Sequence, residues 1–212
     1  MGRTNLSRRG FMVAGATAGA GVLGGAAQGN PVATPAQTEG PFYPTVEQSD
    51  KDADLTRVAG RDTVAAGEII EVEGRVLSAQ GEPIAGAVVD IWQANSAGRY
   101  AHEADPNPAP LDPNFQGWAI LTTDAQGRYR FRTVKPGAYP VDESWSRPPH
   151  VHFKVARRGF REITTQMYFE GEPLNEVDRV LNSVSEPERS ALVARRAGDS
   201  GVYTFDVVLV PV

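Results

Sequence analysis

Two of the chain's three histidines, His150 and His152, stand two positions apart in residues 144–153, which read Ser-Trp-Ser-Arg-Pro-Pro-His-Val-His-Phe. If this stretch is a strand, side chains two apart point to the same face. Both imidazoles then converge on one point while Val151 packs on the other side. This is how a sheet offers two neutral nitrogen ligands to one metal ion. A plain strand with two half-buried polar rings is the competing reading. The scarcity of histidine elsewhere and the flanking Arg147, Pro148 and Pro149 favour the metal.

Two ligands do not complete a site, and the chain has no cysteine. Disulfides, iron–sulfur clusters and thiolate zinc sites are therefore excluded. Further ligands must be carboxylate or phenolate. Tyr100 and Tyr139 each stand where a strand gives way to a Gly-containing loop. A tyrosine at such a rim ordinarily packs its ring and shows its hydroxyl to water. Its phenol has a pKa of about 10 in water, but a bound cation can take its proton. Two phenolates with two imidazoles form a hard, anionic set suited to Fe(III); a ring of carboxylates and waters suits Mg or Ca. His102 reads as a loop residue, and Trp92 and Trp118 as packing residues.

The elements that must position these groups read as strands. Residues 70–76 alternate apolar and polar, as a half-buried strand does. Residues 87–92, 120–123, 129–133, 151–156, 165–169 and 203–210 complete the set, with turns at Gln80-Gly81-Glu82-Pro83 and Asp124-Ala125-Gln126-Gly127. Short strands separated by Gly, Pro and Asp turns predict an all-β fold, an antiparallel β-sandwich. One or two short peripheral helices are expected. Val177, Val180, Leu181 and Val184 have helical spacing, and Ser185-Glu186-Pro187-Glu188 resembles a capping box opening a helix to Ala197.

The first segment reads as an address. Ser7-Arg8-Arg9-Gly10-Phe11-Met12 precedes an uncharged apolar run over residues 13–23, then Gly25-Ala26-Ala27. The order of basic, apolar and small parts predicts a twin-arginine signal over residues 1–27 and a periplasmic or extracellular protein. Residues 28–37 are expected to be a polar linker and residues 38–212 one domain. Cleavage after Ala27 removes three arginines and no acid, taking the formal charge from −5 to −8. That balance argues against a nucleic-acid partner or an anionic membrane, and no second hydrophobic segment offers an anchor.

An ordered set of motifs then carries a resemblance. Trp92-Gln93-Ala94-Asn95 with Gly98-Arg99-Tyr100, Lys135-Pro136-Gly137 with Tyr139-Pro140, Arg147-Pro148-Pro149-His150-Val151-His152, and Gln166-Met167-Tyr168-Phe169-Glu170-Gly171 resemble the intradiol ring-cleavage dioxygenases. Within that family the likeness is to the β-chain group of the protocatechuate 3,4-dioxygenases. The resemblance implies one non-haem Fe(III) per chain and no other cofactor, with Tyr100, Tyr139, His150 and His152 as ligands. It implies that Tyr139 is also the base that takes a proton from a catechol. Arg147 and Gln166 would be the polar residues beside the ring, and Gly40, Pro41, Tyr43 and Val141 would line the substrate pocket. The partners would be a catechol and O2, the product a cis,cis-muconate. Oligomeric state stays open, a homo-oligomer included.

The chain departs from the β-chain pattern at the pocket. Val141 stands where that pattern has a tryptophan, followed by Asp142 and Glu143, and Ser146 is an extra residue between Trp145 and Arg147. These changes predict room beside the ring and a preference for neutral catechols. The competing class is a non-catalytic secreted β-sandwich module, which has the same turns and strands and no metal. The His-x-His pair, Tyr100 and Arg147 separate the two, since such a module needs none of them.

Overall fold

A computed structural model describes Met1, residues 30–48 and residues 50–212. The twin-arginine segment lies outside the described residues.

Among the described residues eleven strands follow one another: β1 (Ile69–Ser78), β2 (Val88–Trp92), β3 (Trp118–Thr122), β4 (Arg128–Val134), β5 (Tyr139–Asp142), β6 (Trp145–Arg147), β7 (His150–Ala156), β8 (Ile163–Phe169), β9 (Val193–Arg196), β10 (Val202–Thr204) and β11 (Val207–Leu209). Nine form one sheet in the order β11-β1-β10-β9-β8-β7-β2-β3, with β4 also paired to β1. β5 and β6 form a separate two-stranded sheet. The all-β class holds. The antiparallel expectation is corrected in part: β1–β10, β1–β11 and β8–β9 are parallel pairs.

Alternation explains the sheet. On β1, Ile70, Val72 and Val76 are buried while Glu71, Glu73 and Arg75 lie between them toward solvent. On β7, Val151, Phe153 and Val155 enter the same core as Val89, Ile91 and Met167. Each buried aliphatic or aromatic side chain contributes about 1.5–3 kcal/mol. The register is therefore strongly specified, since a slip of one residue would turn the core face to solvent. The turn at Asp124 forms as expected, its Oδ1 accepting from the N–H groups of Gln126 and Arg128, with Gly127 at φ 71°.

Helix is shorter than the spacing suggests. The segment around Val177 forms two 3₁₀ turns, Pro173–Glu176 and Leu181–Ser183, and Val177 is exposed. The Asp178 carboxylate takes the N–H of Leu181, and the Asn182 amide takes the carbonyls of Asn175 and Asp178. Side chains thus occupy groups a regular helix would pair. Among the described residues the one α-helix, α1 (Glu188–Ala191), stops well short of Ala197. Leu192 and Ala194 are both fully buried, a period of two that carries the chain into β9. No capping box forms; Glu186 instead accepts from Ser190. Residues 30–37, expected as a linker, lie against the sheet. Thr34 exchanges hydrogen bonds with Val208, and Gln37 N–H donates to the Thr164 carbonyl. The Thr34 contacts cover backbone groups of β11 that would otherwise stand open at the sheet edge.

Candidate active site

β7 turns one face to the core and the other to the site. On its outer face His150 pairs across to Tyr168 and His152 to Gln166 on β8, while Trp92 of β2 lies opposite His152. Trp92 stacks on the His152 ring at 4.8 Å and 9°. It is thus a packing residue that also orients a candidate ligand. The His150 and His152 rings converge, with centroids 5.0 Å apart.

The two tyrosines arrive on loops. After β2, Asn95 accepts from the N–H groups of Ala97 and Arg99, its amide donates to the Pro110 carbonyl, and its own carbonyl takes the Gly137 N–H. Gly98 is at φ 78°, and a side chain on it would strike the Ala138 carbonyl. A glycine is therefore required for the Tyr100 loop to lie against the Tyr139 strand. The hydroxyl of Tyr100 comes within 3.1 Å of His152 Nε2 and 3.4 Å of His150 Nε2. The Tyr139 hydroxyl is 3.5 Å from His150 Nε2.

Four lone-pair atoms thus face one point. His150 Nδ1 lies 2.7 Å from the Pro148 carbonyl, so it carries the proton and leaves Nε2 bare. Burial, then the Arg147 charge, pushes the His152 pKa down to about 3. Burial, then Arg147, then His152 pushes His150 well below the ordinary range. Both rings are neutral, the form that binds metal. Burial pushes both tyrosines up; at Tyr139 the nearby Arg147 opposes it. A buried phenol and a half-buried one, held against imidazole nitrogens, leave a cation as the partner that would ionise them. Among the described residues no group of three or more His, Cys, Asp or Glu forms a rival metal site. The donor set fits a hard trivalent ion.

The family model described as Dioxygenase matches residues 38–211. The chain belongs to the intradiol ring-cleavage dioxygenases. It is 43% identical over 179 residues to a protocatechuate 3,4-dioxygenase beta chain of Burkholderia cepacia, covering 80% of this chain and 76% of that one. It is 35% identical to a catechol 1,2-dioxygenase of Acinetobacter lwoffii, whose length it covers by 56%. Among solved structures, the dioxygenase domain of a dioxygenase–carbohydrate-binding protein fusion from Streptomyces sp. SirexAA-E superposes with a TM-score of 0.64 at 30% identity, over 85% of this chain and 100% of that one. The protein is accordingly a ring-cleaving dioxygenase, an oxidoreductase of a family that generally depends on non-haem iron. The binding-module alternative gives way to this assignment.

Beside the donors lies a cavity of about 470 Å³, walled by Tyr139 and His152 at one end. Tyr100 and His150 lie behind them and do not line it. Gly40 and Pro41 line the cavity, as does Val141. Gly40 sits at φ 70°, and a Cβ there would meet the edge of His152. Tyr43 is placed elsewhere: it packs edge-on to Trp92, and its hydroxyl donates to Asp90, which also accepts from Trp118. A larger open groove of about 640 Å³ runs along Arg75, Arg128 and Asp206 and contains none of the predicted site residues.

Arg147 reaches the cavity from β6 and is buried. Its Nε donates to Asp178 at 2.8 Å, and its Nη2 to Gln166 at 2.6 Å and to Tyr168 at 3.0 Å. Burial works against its charge, but the Tyr168 oxygen and the Asp178 carboxylate outweigh it and raise its pKa. Gln166 in turn donates to the Thr38 carbonyl. Asp178, Tyr168 and Trp145 are the site residues that sequence reasoning missed. Tyr168 and Trp145 each stand two positions along a strand from a residue it found, so the same-face rule could have found them. Asp178 had only a general signal: a buried arginine needs a carboxylate, wherever the chain returns it.

Proposed function

We propose that the protein is a non-haem Fe(III) intradiol dioxygenase that cleaves a catechol between its hydroxylated carbons, adding both atoms of O2 to give a cis,cis-muconate. The supporting observation is the convergence of His150, His152, Tyr100 and Tyr139 at the end of a cavity that also holds Arg147. Those four side chains would hold one ferric ion per chain, and that ion, when bound, would supply the electron-withdrawing centre that makes a catechol ring reactive toward O2. Tyr139, the phenol at the cavity, would accept a hydroxyl proton from the incoming catechol at its oxygen. Tyr100, buried behind it, would remain a fixed donor. The Arg147 cation would stabilise negative charge developing on ring carbon, held in place by Asp178 and Gln166.

Neutral catechols are the proposed substrates. The cavity wall is largely apolar, with Pro106, Pro108, Pro140 and Val180 among its residues. Its cation, Arg147, is already matched by Asp178, and its remaining charges are the carboxylates Asp105 and Asp142. A carboxylate on the ring would add a like charge, at a cost of about 1 kcal/mol or more for a close contact near the surface. Oxygen uptake and product mass with catechol, 4-alkylcatechols, hydroxyquinol and protocatechuate test the proposal. The expected product is a muconate from every substrate cleaved, with protocatechuate the poorest. A yellow semialdehyde from cleavage beside the hydroxyls would refute the intradiol reaction. Export by the twin-arginine route is part of the same proposal. Arg8→Lys with Arg9→Lys should retain active enzyme inside the cell, and unchanged export would reject the signal.

A further inference from the structure

Trp145 is a cavity-lining residue on the hairpin wall. On β6 it stands two positions from Arg147, so the two side chains share a face, and both line the cavity. Ser146, between them, turns the other way. Without that extra residue the tryptophan would adjoin Arg147 and point off the cavity face. Across the hairpin, Tyr139 pairs with Arg147 and Asp142 with Trp145, with a register irregularity that leaves Val141 over. The indole lies near two guanidinium groups, 5.8 Å from Arg147 and 5.0 Å from Arg179. Arg179 is itself engaged by Ser144 and Asp142. Hydrogen bonds from Ser144, with help from Arg179, hold Asp142 below the usual carboxylate range. No cation on this wall is left over for a substrate carboxylate among the described residues.

Distance then assigns the wall its partner. A catechol with its hydroxyls at Tyr139 and its ring laid along the hairpin would run toward Trp145, which lines the same cavity. Two strand residues span about 6.6 Å, comparable to a benzene ring with the first atoms of a substituent. That length runs from the Tyr139–Arg147 pair to the Asp142–Trp145 pair, where the indole joins Val141 and Val180.

Building on the proposed function, we infer that Trp145 is a specificity-determining residue. Its indole is the surface on which an apolar or aryl substituent of the catechol ring packs, so the enzyme selects 4-substituted catechols of that kind.

The test compares kcat/KM for 4-phenylcatechol and for catechol in the iron-loaded enzyme. Trp145→Ala is expected to lower the 4-phenylcatechol to catechol ratio by about tenfold or more, the scale of lost contact in an apolar pocket. Trp145→Phe keeps a ring on the wall and should hold the ratio within about threefold of wild type. Deletion of Ser146 turns the indole away and should reproduce the alanine effect. Iron content and visible spectrum, read on each variant, show whether the metal site is intact. An unchanged ratio in Trp145→Ala, or an equal fall for both substrates, would overturn the inference while leaving the proposed function standing. A wild-type enzyme that cleaves neither catechol would remove both.

Discussion

The wall of the site made by β7 and β8 and the wall made by β5 and β6 differ in pairing and burial. β7 and β8 are central strands of the nine-stranded sheet, paired over six residues, and His150, His152, Gln166 and Tyr168 are all buried on them. β5 and β6 pair only with each other, their register shifts, and Val141 and Asp142 are exposed. One wall is held from behind by a packed core, which fixes its side chains within narrow limits. The other is a short hairpin with an extra residue, the feature by which sheets re-aim side chains beside active sites. His150 and His152 sit on the first wall, while Tyr139 and Trp145 sit on the second, where an inserted residue re-aims the indole. Arg147 joins the two, since it stands on the hairpin but is pinned to Gln166 on β8 and to Asp178 beyond.

Substitutions on the sheet wall should therefore have the largest effects. His152→Ala removes a donor and the stacking partner of Trp92. It is expected to lose bound iron and all measurable turnover, as read by metal analysis beside an oxygen-uptake assay. Retention of a full equivalent of iron would break the assigned ligand set.

Next in size is the bond that joins the walls. Asp178→Ala leaves a buried guanidinium without its carboxylate. The expected loss is about 3–5 kcal/mol of stability, measured by denaturant unfolding. Asp142→Ala, on the exposed hairpin, should stay within about 0.5 kcal/mol of the parent. Equal losses from the two would erase the distinction between the walls.

Tyr139 stands on the hairpin but acts on the donors, and its effect should fall between. Tyr139→Phe is expected to keep iron, weaken the visible absorption and slow turnover by about 10²-fold, the scale of a lost general base. Parent-like turnover would remove its proton-accepting role.

A further lever is acidity. His152 is held at about 3, and His150 is also pushed far down, whereas unfolded histidine titrates near 6.5. Below about pH 6.5 the unfolded chain takes up protons that the fold refuses. Stability of the metal-free protein should then fall as pH drops from about 6.5 toward 3. The double replacement His150→Gln with His152→Gln should flatten that slope in a thermal-melt series.

Much of the first wall was legible in the sequence because a sheet translates period directly into faces. The His-x-His spacing predicts two rings on one side of β7 and Val151 on the other, and the structure has this arrangement. Tyr100 and Tyr139 were legible as rim tyrosines and as members of a resembling motif, but not as a converging pair. Their convergence depends on a backbone approach at Gly98 and on Asn95, which no periodicity announces. The hairpin wall was misjudged for a related reason. Val141 read as an opening beside the ring, but the extra Ser146 returns an indole from the opposite strand, and reading that requires the register. Tyr43 was assigned to the pocket by the resemblance, together with Gly40 and Pro41, yet its hydroxyl goes to Asp90 and it does not line the cavity. The helical spacing before Val184 misled because Asp178 and Asn182 spend their side chains on local backbone groups, leaving two short 3₁₀ turns.

The claim that carries the rest is that two phenols and two imidazoles hold one ferric ion, and the visible spectrum and metal content of the purified protein test it most directly. Phenolates bound to Fe(III) absorb visible light by ligand-to-metal charge transfer. The account expects a wine-red protein with about one iron per chain, whose colour weakens in Tyr139→Phe. A colourless protein that takes up zinc in preference to iron would contradict it.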